Sequence, residues 1–345
     1  MFQPAYQITH PLLENIKRIY GLVQDLNQRQ FPELVLVEMQ KTAEAISAYA
    51  STSIEGNPLP LTDVKAILKR RPENIRDSEQ EVLNYNEILR EINQSLKAGS
   101  VPITLKLILT IQKKVTHKLL PAHQSGKLRA HPVFVNDPRE RRTIYWPPDA
   151  QDVPSLMRDL IRFVSANQNK IDPLILAGLF HKQMVIIHPF MDGNGRTTRL
   201  VTKILLADMG LNTFNLFSFE NYYNQNVTRY FQMVGVKGNY YDIVKSIDFT
   251  GWLEYFTGGI IDELLRVEKS LSPAVVPPQA QLKPHHQQIL DFIQERGYIT
   301  DREYAALVDR AKPTRRLDFN RLIELGLISR QGKGKNTYYI LSVKS

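Results

Sequence analysis

The sequence predicts a mainly α-helical chain carrying two short β-hairpins. Three observations lead there. Apolar residues recur at helical spacing through most of the first 270 positions. β-patterned runs occur at only two places, around 133–146 and around 327–341. A proline-rich stretch, Ser272-Pro273-Ala274-Val275-Val276-Pro277-Pro278-Gln279, reads as a linker between a large and a small unit. The expected organisation is an N-terminal helical region over 1–100, a core over 101–270, a linker over 271–283 and a second unit over 284–345.

Taken in order, Pro11 to Gln24 has apolar residues at helical spacing, and Leu34 to Tyr49 is a second helix. It runs into Ser51-Thr52-Ser53-Ile54-Glu55-Gly56-Asn57, where Gly56, Asn57 and Pro58 are stop signals. Glu55 therefore sits at a helix C-terminus, where the dipole disfavours a carboxylate and a cationic partner is needed. Thr62-Asp63 caps a helix to Lys69, and Ser78 to Leu96 is amphipathic, with Val82, Leu83, Ile88, Leu89 and Ile92 on one stripe. Thr104 to Leu119 is the next helix. Ser125-Gly126-Lys127-Leu128-Arg129 changes the period. Val133 to Asn136 and Thr143 to Trp146 then read as strands joined by Asp137-Pro138-Arg139-Glu140. Helix returns after Asp149, Asp172-Pro173 opens an apolar helix to Ile187, and Phe249 to Val267 closes the core.

The chain is organised around His188-Pro189-Phe190-Met191-Asp192-Gly193-Asn194-Gly195-Arg196-Thr197-Thr198-Arg199. Apolar runs of helical length flank it, so it reads as helix–loop–helix. Gly193, Asn194 and Gly195 let backbone N–H groups converge where the second helix begins, and such a helix start attracts anions. Arg196 and Arg199 are three apart, so they share a face and point at one anion. Asp192 offers a hard oxygen to Mg2+, and His188 a base near neutral pH. Phe190 points into the core. These parts amount to a phosphate-transfer site. His10, His117, His123, His131 and His181 lack such neighbours and read as surface or core residues.

This stretch resembles the signature of the Fic family, H-x-F-x-[DE]-G-N-G-R-x-x-R, at every defined position. The resemblance implies a Fic helical core with a β-hairpin flap over residues 133–146, against which a target segment adds as a strand. It implies ATP as substrate, Mg2+ on Asp192, and transfer of AMP to a Ser, Thr or Tyr hydroxyl by His188. Gly193, Asn194, Gly195, Arg196, Thr197, Thr198 and Arg199 would bind the phosphates. Ser51 to Gly56 is similar to the inhibitory pattern [ST]-x-x-x-E-[GN] of many Fic proteins, which makes Ser51 and Glu55 regulatory. Arg199 and Glu55 each supply what the other lacks, so a Glu55–Arg199 salt bridge is expected at rest. Asn226, Tyr230 and Phe231 are the nearest match to an N-x-x-x-Y-Y element that lines the adenine pocket in the family, with Phe in place of the second Tyr.

Past the linker, His286 to Glu295, Ile299 to Val308 and Thr314 to Gly326 read as three helices, followed by a hairpin over Leu327–Leu341. The order resembles a winged helix-turn-helix. Lys312, Arg315, Arg316 and Arg321 fall on the third helix or its entrance, and Lys333 and Lys335 on the wing. That pattern suits phosphate contacts to DNA, although Asp309, Asp318 and Glu324 dilute the charge and the fold also serves protein contacts.

The formal net charge of +9 favours anionic partners such as nucleotide or nucleic acid. The chain has no cysteine, which excludes disulfides, thiolate catalysis and Cys-based zinc sites and suits a cytoplasmic setting. Met1-Phe2-Gln3-Pro4 opens without a basic or apolar leader pattern, and no run is long enough to span a bilayer, so no membrane partner is expected. The expected partners are a target protein with a modifiable hydroxyl, the chain itself included, DNA through the C-terminal unit, and a second copy in a homodimer. Rival readings are transfer of another phosphate-containing group, removal of AMP from a modified target, and a DNA-binding regulator that only senses nucleotide.

Overall fold

A helix that is apolar on every side cannot lie on a surface. Pro173–Ile187 is such a helix, and almost all of its residues are buried. It is the centre of the structure, a computed structural model that describes residues 2–29, 31, 33–137, 142–207, 210–211, 215–271, 282–324 and 327–342. The chain is mainly α-helical, as expected.

Two compact units are present. The first comprises residues 1–28 and 40–269, and the second residues 29–39 and 270–345. No unit boundary falls at residue 100. The linker expected over 271–283 lies, for 272–281, outside the described residues.

The helices up to the first hairpin are α1 (His10–Gln28), α2 (Glu33–Ile54), α3 (Leu61–Lys69), α4 (Asp77–Ala98) and α5 (Leu105–Val115). Then come β1 (Val135–Asp137), β2 (Arg142–Trp146), α6 (Val153–Asn167), α7 (Pro173–Ile187) and α8 (Asn194–Ala207). α9 (Glu220–Gln225), α10 (Val227–Val234), β3 (Gly238–Asn239), α11 (Tyr240–Ile243) and α12 (Thr250–Leu271) follow. α7 packs on α8 and α6, and α8 also packs on α4 and α5. α12 closes the other side, where Trp252 Nε1 donates to Gly178 O at 2.8 Å.

Two helix ends differ from expectation for local reasons. Pro60, not Thr62 or Asp63, occupies the start of α3, and its carbonyl accepts the Asp63 and Val64 N–H groups at 3.0 and 3.1 Å. α5 starts where Thr104 Oγ1 accepts the Leu107 N–H, but it stops at Val115. Thr116 leaves helical geometry there, and successive turns replace the expected run to Leu119. The aromatic segment around 219–231 is broken at Asn226, whose side chain caps α10 by accepting the Arg229 N–H at 3.0 Å.

The hairpin β1–β2 is antiparallel, with Val135 opposite Tyr145. β2 also pairs in parallel with β3, so its second edge is closed and the sheet order is β1-β2-β3. The turn at Pro138–Glu140 lies outside the described residues.

The second unit contains α13 (Pro284–Arg296), α14 (Asp301–Leu307) and α15 (Lys312–Glu324), then β4 (Ile328–Gln331) antiparallel to β5 (Tyr338–Leu341). Thr300 and Glu303 form the capping box of α14. Its core gathers Ile289, Leu290, Ile293, Ile299, Tyr304, Phe319, Leu322, Leu327 and Ile328. Among the described residues no helix is long and apolar enough to cross a membrane.

Candidate active site

The organising stretch forms a tight loop between α7 and α8. α7 begins at Pro173 with Asp172 accepting the Leu174 N–H, and ends at His188, which adopts the left-handed region at φ +49°. Asn194 opens α8, but its side chain does not face the cleft. Its Oδ1 accepts the Phe190 N–H and its Nδ2 donates to Phe190 O, both at 2.9 Å. The expectation of a phosphate-facing Asn194 amide is corrected accordingly: both ends of the amide close the loop, while the Phe190 ring is fully buried beneath it. What Asn194 leaves for an anion is its backbone N–H, together with those of the following residues at the helix start. Gln112 from α5 supports the same loop through Nε2 to Asp192 O at 3.0 Å.

Glycine is required twice. Gly193 has φ +78°, and a Cβ there would lie 2.9 Å from Thr116 Cγ2. At Gly195 a Cβ would lie 1.9 Å from Glu55 Oε1, so a carboxylate from another helix already occupies the space above this turn.

That carboxylate belongs to the expected salt bridge. Arg199 Nη2 lies 2.7 Å from Glu55 Oε1. The arginine also donates through Nε to Ser51 Oγ and through Nη2 to Ser51 O, each at 2.8 Å. Arg199 thus caps the C-terminal end of α2 and neutralises the carboxylate beside it, the two charges that a helix C-terminus needs balanced. Its side chain is 0% exposed. Burial works to lower the Arg199 pKa, but Glu55, Tyr230 and Tyr85 together outweigh it and hold the guanidinium above its ordinary value. Behind Ser51, Tyr85 Oη donates to the buried Glu220 at 2.6 Å, so the pair stands on an interior polar network.

Arg196 does not share its anion with Arg199, contrary to the expectation from their three-residue spacing. Its Nη1 lies 2.5 Å from Glu81 Oε1, and its Nη2 donates to both oxygens of Asp192 at 3.0 and 2.9 Å. Glu81 is itself held by Asn57 Nδ2 at 2.6 Å. Burial raises the Glu81 carboxyl above its ordinary range, against the lowering influence of Arg196. One turn, 55–57, therefore touches both arginines, Arg199 directly through Glu55 and Arg196 through Asn57 and Glu81. Glu55, Asn57, Asp77, Glu81, Asp192 and Arg196 line an open cleft of about 360 Å³.

Thr197 and Thr198 are buried. Thr198 Oγ1 donates to Asn194 O at 2.7 Å within α8, so neither side chain faces the cleft. His188 is half-buried, and burial lowers its pKa below the ordinary imidazole value. The Val185 carbonyl and Glu55 raise it, and Arg129 lowers it further.

The aromatic residues assigned to adenine are placed differently from expectation. Tyr230 is 1% exposed, stacks on Tyr223 at 4.7 Å and bonds through Oη to His181 Nε2 at 3.0 Å, so it offers no free face. Asn226 is occupied as the α10 cap. Phe231, the departure from the family pattern, is the exposed ring at 47%.

In the second unit Arg315 is turned inward. It pairs with Asp301 through Nε and Nη2, both at 3.0 Å, and donates to Arg310 O at 2.7 Å. Asp318 is buried and accepts from Tyr304 Oη at 2.8 Å, with Arg310 Nε at 2.9 Å, so it does not dilute the surface charge. Lys312, Arg316, Arg321 and Lys333 are exposed, and the Lys335 side chain lies outside the described residues.

Residues 102–206 match the Fic/DOC family model. Over 217 residues the chain is 30% identical to the Protein adenylyltransferase Fic of Drosophila erecta, and equally to that of Drosophila melanogaster. Each match covers 57% of this chain and 42% of the relative, so the chain spans well under half of the length of these relatives. Among solved structures, a Fic family protein from Desulfovibrio desulfuricans G20 aligns over 100% of this chain and 99% of its own, with a TM-score of 0.70 at 20% identity. Fic-1 (aa134 - 508) from C. elegans aligns over 76% of this chain and 74% of its own, with a TM-score of 0.58 at 21% identity. At these identities the structures establish the fold.

Proposed function

We propose that the chain transfers AMP from ATP to a Ser, Thr or Tyr hydroxyl of a target protein, its own included, and that Glu55 holds it at rest. The observation that carries this reading is the loop and first turns of α8. They gather His188, Asp192, Arg196 and Arg199 around one helix start, with Arg199 already occupied by Glu55. The Fic match of this segment and the adenylyltransferase relatives support the same chemistry.

In the reaction, backbone N–H groups at the start of α8 hold phosphate oxygens. Arg196 moves from Glu81 to the β-phosphate, and Arg199, once released by Glu55, takes the γ-phosphate. His188 accepts the proton of the target hydroxyl as its oxygen bonds to the α-phosphorus. The bond from that phosphorus to the bridging oxygen breaks, and pyrophosphate leaves. Asp192, whose side chain is 47% exposed on the cleft, would hold Mg2+ through its hard oxygens, and the metal would offset phosphate charge. Asp192→Ala is expected to lose both metal dependence and most of the rate, measured by transfer from labelled ATP across a Mg2+ titration. An unchanged Mg2+ response overturns the assignment.

The deciding experiment incubates the chain and its Glu55→Gly variant with labelled ATP and a cell lysate, followed by intact mass of the modified species. Added AMP supports the proposal, whereas added phosphate or phosphocholine identifies a different transfer. Loss of AMP from a pre-modified protein identifies removal. The absence of cysteine fits a cytoplasmic place for this activity.

A second reading concerns the C-terminal unit, which we take as a winged helix-turn-helix that binds DNA. It is favoured by exposed Lys312, Arg316 and Arg321 on α15 and Lys333 on the hairpin turn. Because Arg315 is spent on Asp301, the test substitutes Arg316 and Arg321. Arg316→Ala with Arg321→Ala is expected to reduce the slope of log affinity against log salt by about 2, at roughly 0.9 per phosphate contact. Salt-independent binding, or none to any genomic fragment, favours a protein-interaction role.

A further inference from the structure

The last carbonyls of a helix have no donor within it. At the end of α7, Met184 O accepts the His188 N–H at 3.0 Å, and two side chains from outside the helix serve later carbonyls. Tyr145 Oη, on strand β2, donates to Ile186 O at 2.8 Å. Arg129 takes the rest. Its Nε donates to His188 O at 2.8 Å, its Nη2 to Ile187 O at 3.5 Å, and its backbone N–H to Pro189 O at 2.9 Å. Its Nη2 also donates to Pro148 O, just past β2, and its Nη1 to His131 O at 3.2 Å.

Arg129 is 4% exposed and makes no ion pair with a carboxylate among the described residues. A guanidinium buried that way is costly unless its N–H groups all find acceptors and the local field is negative. The carbonyl end of α7, with the His131 and Pro148 carbonyls, supplies the acceptors, and Tyr145 and the nearby Asp149 carboxylate add to the negative field of the helix end. His188, at the same spot, holds a backbone conformation that L side chains rarely adopt. Among the described residues no side chain is hydrogen-bonded to its ring, and Nδ1 is buried without a geometric hydrogen-bond partner. A catalytic base is ordinarily aimed by a third group. Here the groups that address the imidazole are main chain: the Val185 carbonyl beside the ring, and the left-handed backbone at 188 that sets the direction in which the side chain leaves the chain.

We propose that Arg129 is the positioning residue for His188, holding the left-handed backbone that aims the base and tying it to the foot of the flap at Pro148. This rests on the reading of His188 as the base. The consequence is that flap and base move as one piece, so a target strand docked on the flap is registered to the proton acceptor.

The test uses the full chain, activated by Glu55→Gly, with Arg129→Met and Arg129→Lys added separately. Labelled histidine gives the ring resonances of all eight histidines, and loss of one signal in His188→Ala identifies the one required. Arg129→Met is expected to move the ring signals and titration of His188 selectively. It should lower kcat by about 10- to 100-fold, the scale of a misplaced catalytic group, with KM for ATP unchanged. Arg129→Lys, which keeps the charge but not the fork, should recover part of kcat. Should Arg129→Met not fold, Arg129→Lys decides alone, with a selective His188 shift and reduced kcat expected. An unmoved His188 signal, or perturbation spread equally over all eight histidines, overturns the proposal. If no variant transfers AMP to any protein, the functional reading fails, and the ring signals still decide the positioning role.

Discussion

His188→Ala is expected to abolish detectable AMP transfer while ATP binding stays near its wild-type value. In the proposed reaction His188 takes a proton from the target hydroxyl and holds no phosphate, so its loss falls on kcat. General-base catalysis is worth about 10²- to 10⁴-fold, which sets the size of the drop. Burial depresses the His188 pKa from its ordinary value, so the imidazole is already neutral near pH 7. The rate should therefore fall with acidification only below the ordinary imidazole range, and stay flat through neutrality. Glu55 works to raise this pKa, so Glu55→Gly should move the acid limb further down. Transfer from labelled ATP between pH 5 and 8, in parallel with nucleotide binding, checks both statements. A His188→Ala protein that labels targets at the wild-type rate rules out the base assignment.

Glu55→Gly is expected to raise transfer, self-modification included, by at least tenfold, equivalent to roughly 1.4 kcal/mol of barrier. The reasoning starts from Arg199. Three acceptors hold it, Glu55 Oε1, Ser51 Oγ and Ser51 O. Only the first is lost in the variant. The guanidinium stays oriented by Ser51, and the Nη2 N–H released from Glu55 joins Nη1, which has no hydrogen-bond partner among the described residues even at rest, in facing a γ-phosphate. The space above Gly195, which Glu55 Oε1 fills at rest, opens at the same time. A phosphate chain that was repelled and turned out of line with the attacking oxygen then has room to align. Arg199→Ala should also break the pair yet fail to activate, because the clamp goes with it. A three-way comparison of wild type, Glu55→Gly and the double variant decides. Equal rates for wild type and Glu55→Gly would show Glu55 to be an ordinary helix-end residue or a participant in AMP removal.

Much of the loop was legible because its residues lie next to one another. Helix–loop–helix follows from two apolar runs flanking glycines, and the Glu55–Arg199 contact follows from a carboxylate at a helix end that needs a cation. What stayed hidden was how polar side chains divide among acceptors once folded. The three-residue spacing of Arg196 and Arg199 sets a common helix face, but it does not reveal that α4 brings Glu81 to one and α2 brings Glu55 to the other. Asn194 looks like a ligand in a glycine-rich turn; only the closed loop shows both ends of its amide on Phe190. Arg129 carried no signal beyond a change of period, since its acceptors are main-chain carbonyls that any sequence possesses. Arg315 read as a surface cation for a different reason: its carboxylate partner, Asp301, lies fourteen positions away, across a turn between helices.

The turn at 55–57 can also be viewed as part of a charge filter. At rest two guanidiniums, Arg196 and Arg199, face three carboxylates, Glu55, Glu81 and Asp192, so the mouth of the site is anionic. A bare polyphosphate approaching it meets net repulsion, while one that brings its own divalent cation meets much less. Withdrawing the turn removes Glu55 and loosens the hold of Asn57 on Glu81 in one displacement, so the two guanidiniums are then matched by the two remaining carboxylates and the repulsion at the mouth fades. A small segment thus changes which ionic form of the nucleotide is admitted, and it does so without a single phosphate-binding residue having to be rebuilt.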